Sequence, residues 1–152
     1  MKASRPRNAA NENSRFMEDL QEAAKNKKKN LKHFAELKLE AYDEAEELSS
    51  GVRMLKFKST EGEFAKMRKP LSVRYVGYLP NGRIFDSGVF SFNLGRGEVI
   101  EAWDIAFKHL RVGEEATIFC PSSTAYGRRG AGKDIKGYTT LIFDVTLESV
   151  SE

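Results

Sequence analysis

The spacing of apolar residues changes once along the chain. Up to residue 50 they recur at helical intervals with no glycine among them, and from Val52 onward they alternate every second residue between glycine-bearing turns. From Ser14, Phe16, Leu20, Ala23 and Ala24 share one helical face. The run Asn26-Lys27-Lys28-Lys29-Asn30 interrupts the stripe, which resumes with Leu31, Phe34, Ala41, Ala45 and Leu48. Lys38 sits where the stripe calls for an apolar residue, and Leu37 and Leu39 lie off it. This predicts one long helix or two shorter ones ending at Ser49-Ser50-Gly51. Two roles fit such a helix: a solvated spacer packed lightly on the domain, or a face that pairs with another copy or a partner. Residues 1–13, polar and rich in Asn and Arg, read as a disordered tail.

The second pattern is that of a sheet. Residues 52–58 alternate with Leu55 and Phe57 on one face, and residues 71–78 with Leu71, Val73 and Tyr75 on one face. Pro80-Asn81-Gly82 predicts a hairpin turn in which Asn-Gly accepts positive φ. Residues 83–86 return, and residues 89–94 form a further strand with Phe90, Phe92 and Leu94 together. One helix follows, from Val99, Ile100, Trp103, Ala106, Phe107 and Leu110, with Gly113 as its C-cap. Residues 115–121 and 138–150 complete the strands, around a glycine-rich loop over 122–137. The fold class is α+β: five or six antiparallel strands wrapped around one short α-helix, preceded by a helical extension. The domains are a tail at 1–13, the extension at 14–50 and a sheet domain at 51–152.

Composition sharpens that division. All 12 glycines lie at or beyond Gly51. The net charge of +3 is too small to argue for nucleic acid, and acidic residues balance the lysine run nearby. No apolar run is long enough to span a membrane. The start carries no apolar core of a secretory signal, and the visible chain suits the cytoplasm without settling the compartment. Export with the signal removed, to the periplasm or a membrane anchor, is the alternative. The single cysteine, Cys120, excludes an internal disulfide framework and reads as a small buried apolar residue.

The usual catalytic motifs are missing. There is no phosphate-binding G-x-x-x-x-G-K-[ST] loop and no G-x-S-x-G elbow. His33 with Glu36 and Glu40 reads as a solvated face, since no further cluster completes a metal site. No metal and no cofactor is expected. What stands out is an excess of aromatic residues, most simply core, with Asp86 beside an apolar strand end and Tyr126 in the glycine-rich loop. A buried carboxylate needs partners. A loop tyrosine without a packing duty offers its hydroxyl to a ligand.

The order of motifs then resembles a known family. Val73-Arg74-Tyr75-Val76-Gly77-Tyr78-Leu79 is followed by Asn81-Gly82, Phe85-Asp86-Ser87 and Phe92-Asn93-Leu94-Gly95. Next come Val99-Ile100-Glu101-Ala102-Trp103, Arg111-Val112-Gly113-Glu114, Ala125-Tyr126-Gly127 and Leu141-Ile142-Phe143-Asp144-Val145. Over residues 52–150 the chain is similar to the FKBP-type peptidyl-prolyl cis-trans isomerases. The resemblance implies a half-barrel sheet around the short helix, with an apolar pocket between them. It implies Trp103 as the pocket floor, and the Ile100 N–H and the Tyr126 hydroxyl as holders of peptide carbonyls. Asp86 would orient polar groups at the rim through Tyr75. Tyr75, Phe85, Phe90, Val99, Ile135 and Phe143 would line the substrate site.

The implied activity is prolyl isomerisation in client polypeptides, with macrolide inhibitors of the family as further ligands. The alternative is a non-catalytic peptide-binding or chaperone module of the same fold. Two departures stand out. The segment between Ser87 and Phe90 is short for the family. The loop before the last strand reads Ile135-Lys136-Gly137-Tyr138 and lacks the prolines that would stiffen it. Arg128, Arg129, Lys133 and Lys136 face a single acid there, Asp134.

Overall fold

Six strands form one antiparallel sheet in the computed structural model, which describes residues 29–151. Helix α1 spans Lys29–Glu44, followed by β1 (Glu46–Glu47), β2 (Arg53–Lys58), β3 (Pro70–Tyr78) and β4 (Ile84–Asn93). Helix α2 (Glu101–Phe107), β5 (Glu115–Cys120) and β6 (Leu141–Val150) complete the order. The sheet runs β1-β2-β5-β6-β3-β4. The α+β class and the single short helix against the sheet agree with the sequence. The tail over 1–13 and the first part of the extension lie outside the described residues.

Alternation gives the sheet two buried faces. Leu71 and Val73 of β3, Ala116, Ile118 and Cys120 of β5, and Leu141, Phe143, Val145 and Leu147 of β6 pack with α2 into the main core. Phe119 and Ile142 point to the other side, where Tyr42 and Ala45 of the N-terminal segment cover them. The result is three layers: α1, sheet, α2.

The extension differs most from expectation. Helix α1 ends at Glu44, not at residue 50. Arg53 stacks on the Tyr42 ring at 4.4 Å and donates from Nη1 to the Tyr42 carbonyl at 2.8 Å, capping the last turn. The chain then joins the sheet as β1, with Glu46 opposite Met54 and Glu47 opposite Arg53. Ser50 (φ 58°) and Gly51 (φ 79°) make the reversal, and two successive left-handed residues are incompatible with a continuing helix. Nor is the described helix a solvated spacer. Phe34 lies 4.9 Å from the Tyr78 ring, and Tyr42 meets Phe119 edge-on at 5.1 Å. Lys38 does face inward with the stripe, and donates to both Asp144 oxygens at 2.7 and 3.0 Å. Leu37, off the stripe, is 50% exposed.

Four smaller corrections share one cause, the difference between local pattern and tertiary position. Phe57 is 58% exposed, because a register shift between Lys56 and Lys58 leaves it outside the pairing with β5. The inward residue of β2 is Met54. The turn at 79–82 has positive φ only at Gly82 (91°). Pro80 has its φ fixed near −65°, which suits a type I turn closed by the Gly82 N–H donating to the Leu79 carbonyl at 2.9 Å. Helix α2 stops at Phe107, so Gly113 is not its cap but sits in the turn where the Glu114 N–H donates to the Arg111 carbonyl. The two strands expected over 83–94 are one: β4 pairs with β3 from Ile84 to Asn93, with a single shift at Gly77/Tyr78.

Candidate functional site

Strand β3 places Tyr75 on the core side of the sheet, and β4 returns Phe85, Asp86 and Phe90 beside it. Strand β6 supplies Phe143, in register with Gly77. Helix α2 delivers Trp103 from beneath. The approach to that helix is braced by carboxylates. Asp104 accepts from the Gly95 N–H at 2.7 Å and the Gly97 N–H at 3.1 Å, and Glu98 accepts from the Asn93 N–H at 2.9 Å. The Asn93 bonds hold the Glu98 carboxyl below the usual range. These contacts fix the turn that leads into Val99 and Ile100, both buried. Ile100 is the N-cap of α2, with extended backbone (φ −57°, ψ 146°). The helix has no use for an N-cap N–H.

Trp103 is completely buried among rings. Tyr75 meets it at 5.1 Å, Phe143 at 5.3 Å, Phe107 at 5.4 Å, Phe92 at 5.8 Å and Phe90 at 6.5 Å between centroids. Most are edge-to-face pairs, the arrangement that the ring quadrupole favours. Phe85 packs edge-on to Phe143 at 5.6 Å. Tyr75, Phe85 and Tyr126 are only partly buried against this core, and Phe90 is 41% exposed. Of the five rings on the buried indole, Tyr75 and Phe90 are partly exposed and Phe92, Phe107 and Phe143 are buried. Among the described residues, the indole Nε1–H is the one buried side-chain donor without an acceptor.

Three polar groups stand at the edge. Tyr75 donates its hydroxyl to Asp86 Oδ2 at 2.8 Å, and Asp86 Oδ1 accepts from the Ser87 N–H at 2.9 Å. Burial, then the Asp86 hydrogen bond and charge, push the Tyr75 hydroxyl up to about 12. Burial and the Asp86 charge push Tyr126 up to about 12 as well. Both hydroxyls therefore remain protonated, and remain donors, at neutral pH. Burial alone pushes the Cys120 thiol well above its ordinary range and leaves it inert.

The structure brings together the residues that the family resemblance singles out. Val99, Ile100, Trp103, Ile135 and Phe143 are buried in the main core, with Tyr75, Phe85 and Tyr126 packed against it. Phe90 joins through Trp103 and Phe92, and Asp86 through Tyr75. Two expectations need correction. Asp86 is exposed, and its partners come from the rim. Tyr126 does have a packing duty, against the core. The loop before β6 is tied by backbone bonds where the prolines are missing. Ala131 and Ile135 exchange bonds of 2.8 and 3.1 Å, and the Tyr138 N–H donates to the Gly127 carbonyl at 2.9 Å.

The sequence reading missed Gly77. A Cβ there would lie 2.6 Å from Phe85 and 2.9 Å from Phe143, so the bare backbone lets the two rings close over it. The signal was available, since a lone glycine inside an alternating strand marks a close approach. His33 is exposed, and no group of three His, Cys, Asp or Glu residues among the described residues could hold a metal ion. The arrangement can take an apolar ring against its partly exposed aromatic side chains and offer a hydroxyl donor at the rim.

Comparison with known proteins places these residues in a family. Residues 61–148 match the model of the FKBP-type peptidyl-prolyl cis-trans isomerases. FK506-binding protein 4 of Rhizopus delemar is 42% identical over 107 residues, covering 68% of this chain and 28% of that protein. The 39 kDa FK506-binding nuclear protein of Drosophila melanogaster is 41% identical over 108 residues, covering 68% and 30%. The chain thus spans less than a third of the length of these curated relatives. The crystal structure of a peptidyl-prolyl cis-trans isomerase from Pseudomonas syringae pv. tomato superposes with a TM-score of 0.70 at 25% identity, over 98% of this chain and all of that one.

Proposed function

The chain belongs to the FKBP-type peptidyl-prolyl cis-trans isomerase family, and from that premise we propose that it accelerates rotation about X-Pro bonds in client polypeptides. The observation that carries this reading is the buried Trp103 ringed by aromatic side chains, beside donors that titrate far above neutral pH. The reaction breaks no covalent bond. Its barrier of about 18–20 kcal/mol is the amide resonance lost on twisting. The twisted amide is less dipolar than the planar one, so transfer from water to an aromatic surface favours it.

In this reading the proline ring docks against the partly exposed Tyr75, Phe85 and Phe90, over the buried Trp103, with Val99, Ile135 and Phe143 behind them. The Ile100 N–H and the Tyr126 hydroxyl hold the peptide's carbonyls. These are the groups that touch the substrate. Asp86 is a positioning residue, fixing Tyr75 through their hydrogen bond. Each tenfold in rate needs about 1.4 kcal/mol of preference for the twisted form, and one hydrogen bond contributes about 0.5–1.5 kcal/mol. Macrolide ligands of the family would occupy the same surface.

The test is cis-to-trans isomerisation of a Leu-Pro-Phe peptide by the full chain and by Asp86→Ala and Tyr126→Phe. Acceleration by the wild type that falls in both variants is expected. A folded protein that accelerates nothing overturns the enzyme reading and leaves a proline-peptide binder.

A further inference from the structure

The loop that closes the site carries a concentration of unpaired positive charge. Arg128, Arg129, Lys133 and Lys136 are all exposed, and none forms an ion pair with a described residue. Elsewhere Lys38, Lys56, Lys58, Arg74 and Arg111 all face carboxylates within 4.0 Å. The loop's only acid, Asp134, is taken by Arg83 at 3.1 Å. Four cations against one already paired acid leave the loop without internal compensation.

Geometry ties these charges to the proline site. Tyr126 precedes Arg128 by two residues, about 7 Å of chain at most. Ile135, buried in the core, is flanked directly by Asp134 and Lys136. The Ala131–Ile135 exchange and the bond from Tyr138 to Gly127 hold the loop in one shape. Gly130 packs on the Ile135 carbonyl and Gly137 on that of Arg128, so the loop folds tightly on itself. The charged heads point to solvent while the same loop lines the candidate site.

We propose that this loop selects prolines flanked by acidic residues, so that the clients are polypeptides carrying Asp or Glu within a few positions of the proline. The proposal rests on the reading of the aromatic site as a proline site. A built-in control lies at the other end of the sheet. Lys66, Arg68, Lys69 and Arg96 are also exposed and unpaired among the described residues, but they flank the Pro70–Asn93 end of the β3–β4 pair. The loop joins the opposite end through Arg83 and Asp134. The two patches are about 25 Å apart by strand rise, beyond the ~10 Å screening length at about 0.1 M salt.

The experiment measures binding of fluorescent Glu-Pro-Phe, Leu-Pro-Phe and Lys-Pro-Phe peptides to the full chain, with turnover followed in parallel. The Glu peptide is expected to bind about fivefold tighter than the Leu peptide at ~0.1 M salt, as two or three exposed ion pairs would give, and the Lys peptide weaker than both. The preference should vanish near 1 M salt, fall at least twofold in R129S/K133S, and persist in K66S/K69S, which removes the same charge elsewhere. Equal affinities, or equal loss in both double variants, would overturn the proposal. So would mixed-sequence duplex DNA displacing the Glu peptide at lower concentration than the peptide itself. An acidic preference in binding with no turnover of any peptide would sink the isomerase reading and leave the charge selection standing.

Discussion

Strand β6 turns Leu141, Phe143, Val145 and Leu147 to one side and Ile142 and Asp144 to the other, and the two sides are held by different means. On the α2 side the ring positions are set by mutual packing, with no ion pair among them. On the α1 side a small apolar patch is supplemented by one charge network. Lys38 bonds Asp144, which also accepts from the Thr117 hydroxyl at 2.7 Å. A close-packed interior transmits any change of shape to all its members. A docked helix held by a few discrete contacts can be loosened one contact at a time. The difference suits a site whose geometry must not drift, backed by a helix whose attachment is adjustable.

The contrast can be broken most directly at Trp103. Trp103→Ala removes the ring on which five others converge and should cost about 3–5 kcal/mol in denaturant unfolding. A cost below about 1 kcal/mol would mean that the rings hold their places without it. Gly77→Ala adds a single methyl between Phe85 and Phe143. It should cost about 1–3 kcal/mol through overpacking and lower isomerase turnover at temperatures where the protein is still folded. An alanine that changes neither would show slack where the packing argument allows none. On the other side, Lys38→Met should cost about 1 kcal/mol, because the pair is partly screened at 12% and 29% side-chain exposure. Adding Asp144→Asn to it should cost little more, and turnover should be unchanged. A double-mutant cycle that came out additive would deny the pair any coupling.

Tyr75→Phe should cost no more than Lys38→Met at neutral pH, about 0.5–1 kcal/mol for one exposed hydrogen bond. It sharpens the comparison through pH. Tyr75 and Tyr126 titrate near 12 in the fold, against about 10 in an unfolded chain. Between those values the unfolded chain has released protons that the fold retains. Stability should therefore fall as pH rises from about 10 to 12 and feel nothing from these groups at lower pH. Thermal melts of the Tyr75→Phe/Tyr126→Phe protein should lose that part of the alkaline slope. An unchanged slope would place both hydroxyls in water.

The α2 side was almost fully legible in the sequence. Alternation located the strands but split β4 in two, the spacing of Trp103, Ala106 and Phe107 located the helix, and the order of motifs named residues that the structure brings together around Trp103. The reason is that each of those faces is apolar throughout, so the local period and the tertiary burial agree. The α1 side was legible only in part. Lys38 looked like a flaw in the stripe because its partner, Asp144, lies 106 residues away. The two-residue strand β1 carries two glutamates and has no apolar signal at all; its pairing with β2 supplies the order. The place of Gly77 in an alternating strand marks a close approach, but that Phe85 and Phe143 are the groups approaching is visible only in the folded sheet.

Strand β6 lies between β5 and β3, in the middle of the sheet, although it is the last strand in the described chain. Each of its two neighbours must wait for it. When the protein is made from its N-terminus, β3 and β4 can form their hairpin early, but β2 and β5 remain cut off from that hairpin until residues 141–150 leave the ribosome. Completion of the sheet thus waits for the strand that is made last within it, and the pairings that complete it span long stretches of sequence, which slows folding. The strand order builds a late step into the folding of the sheet itself.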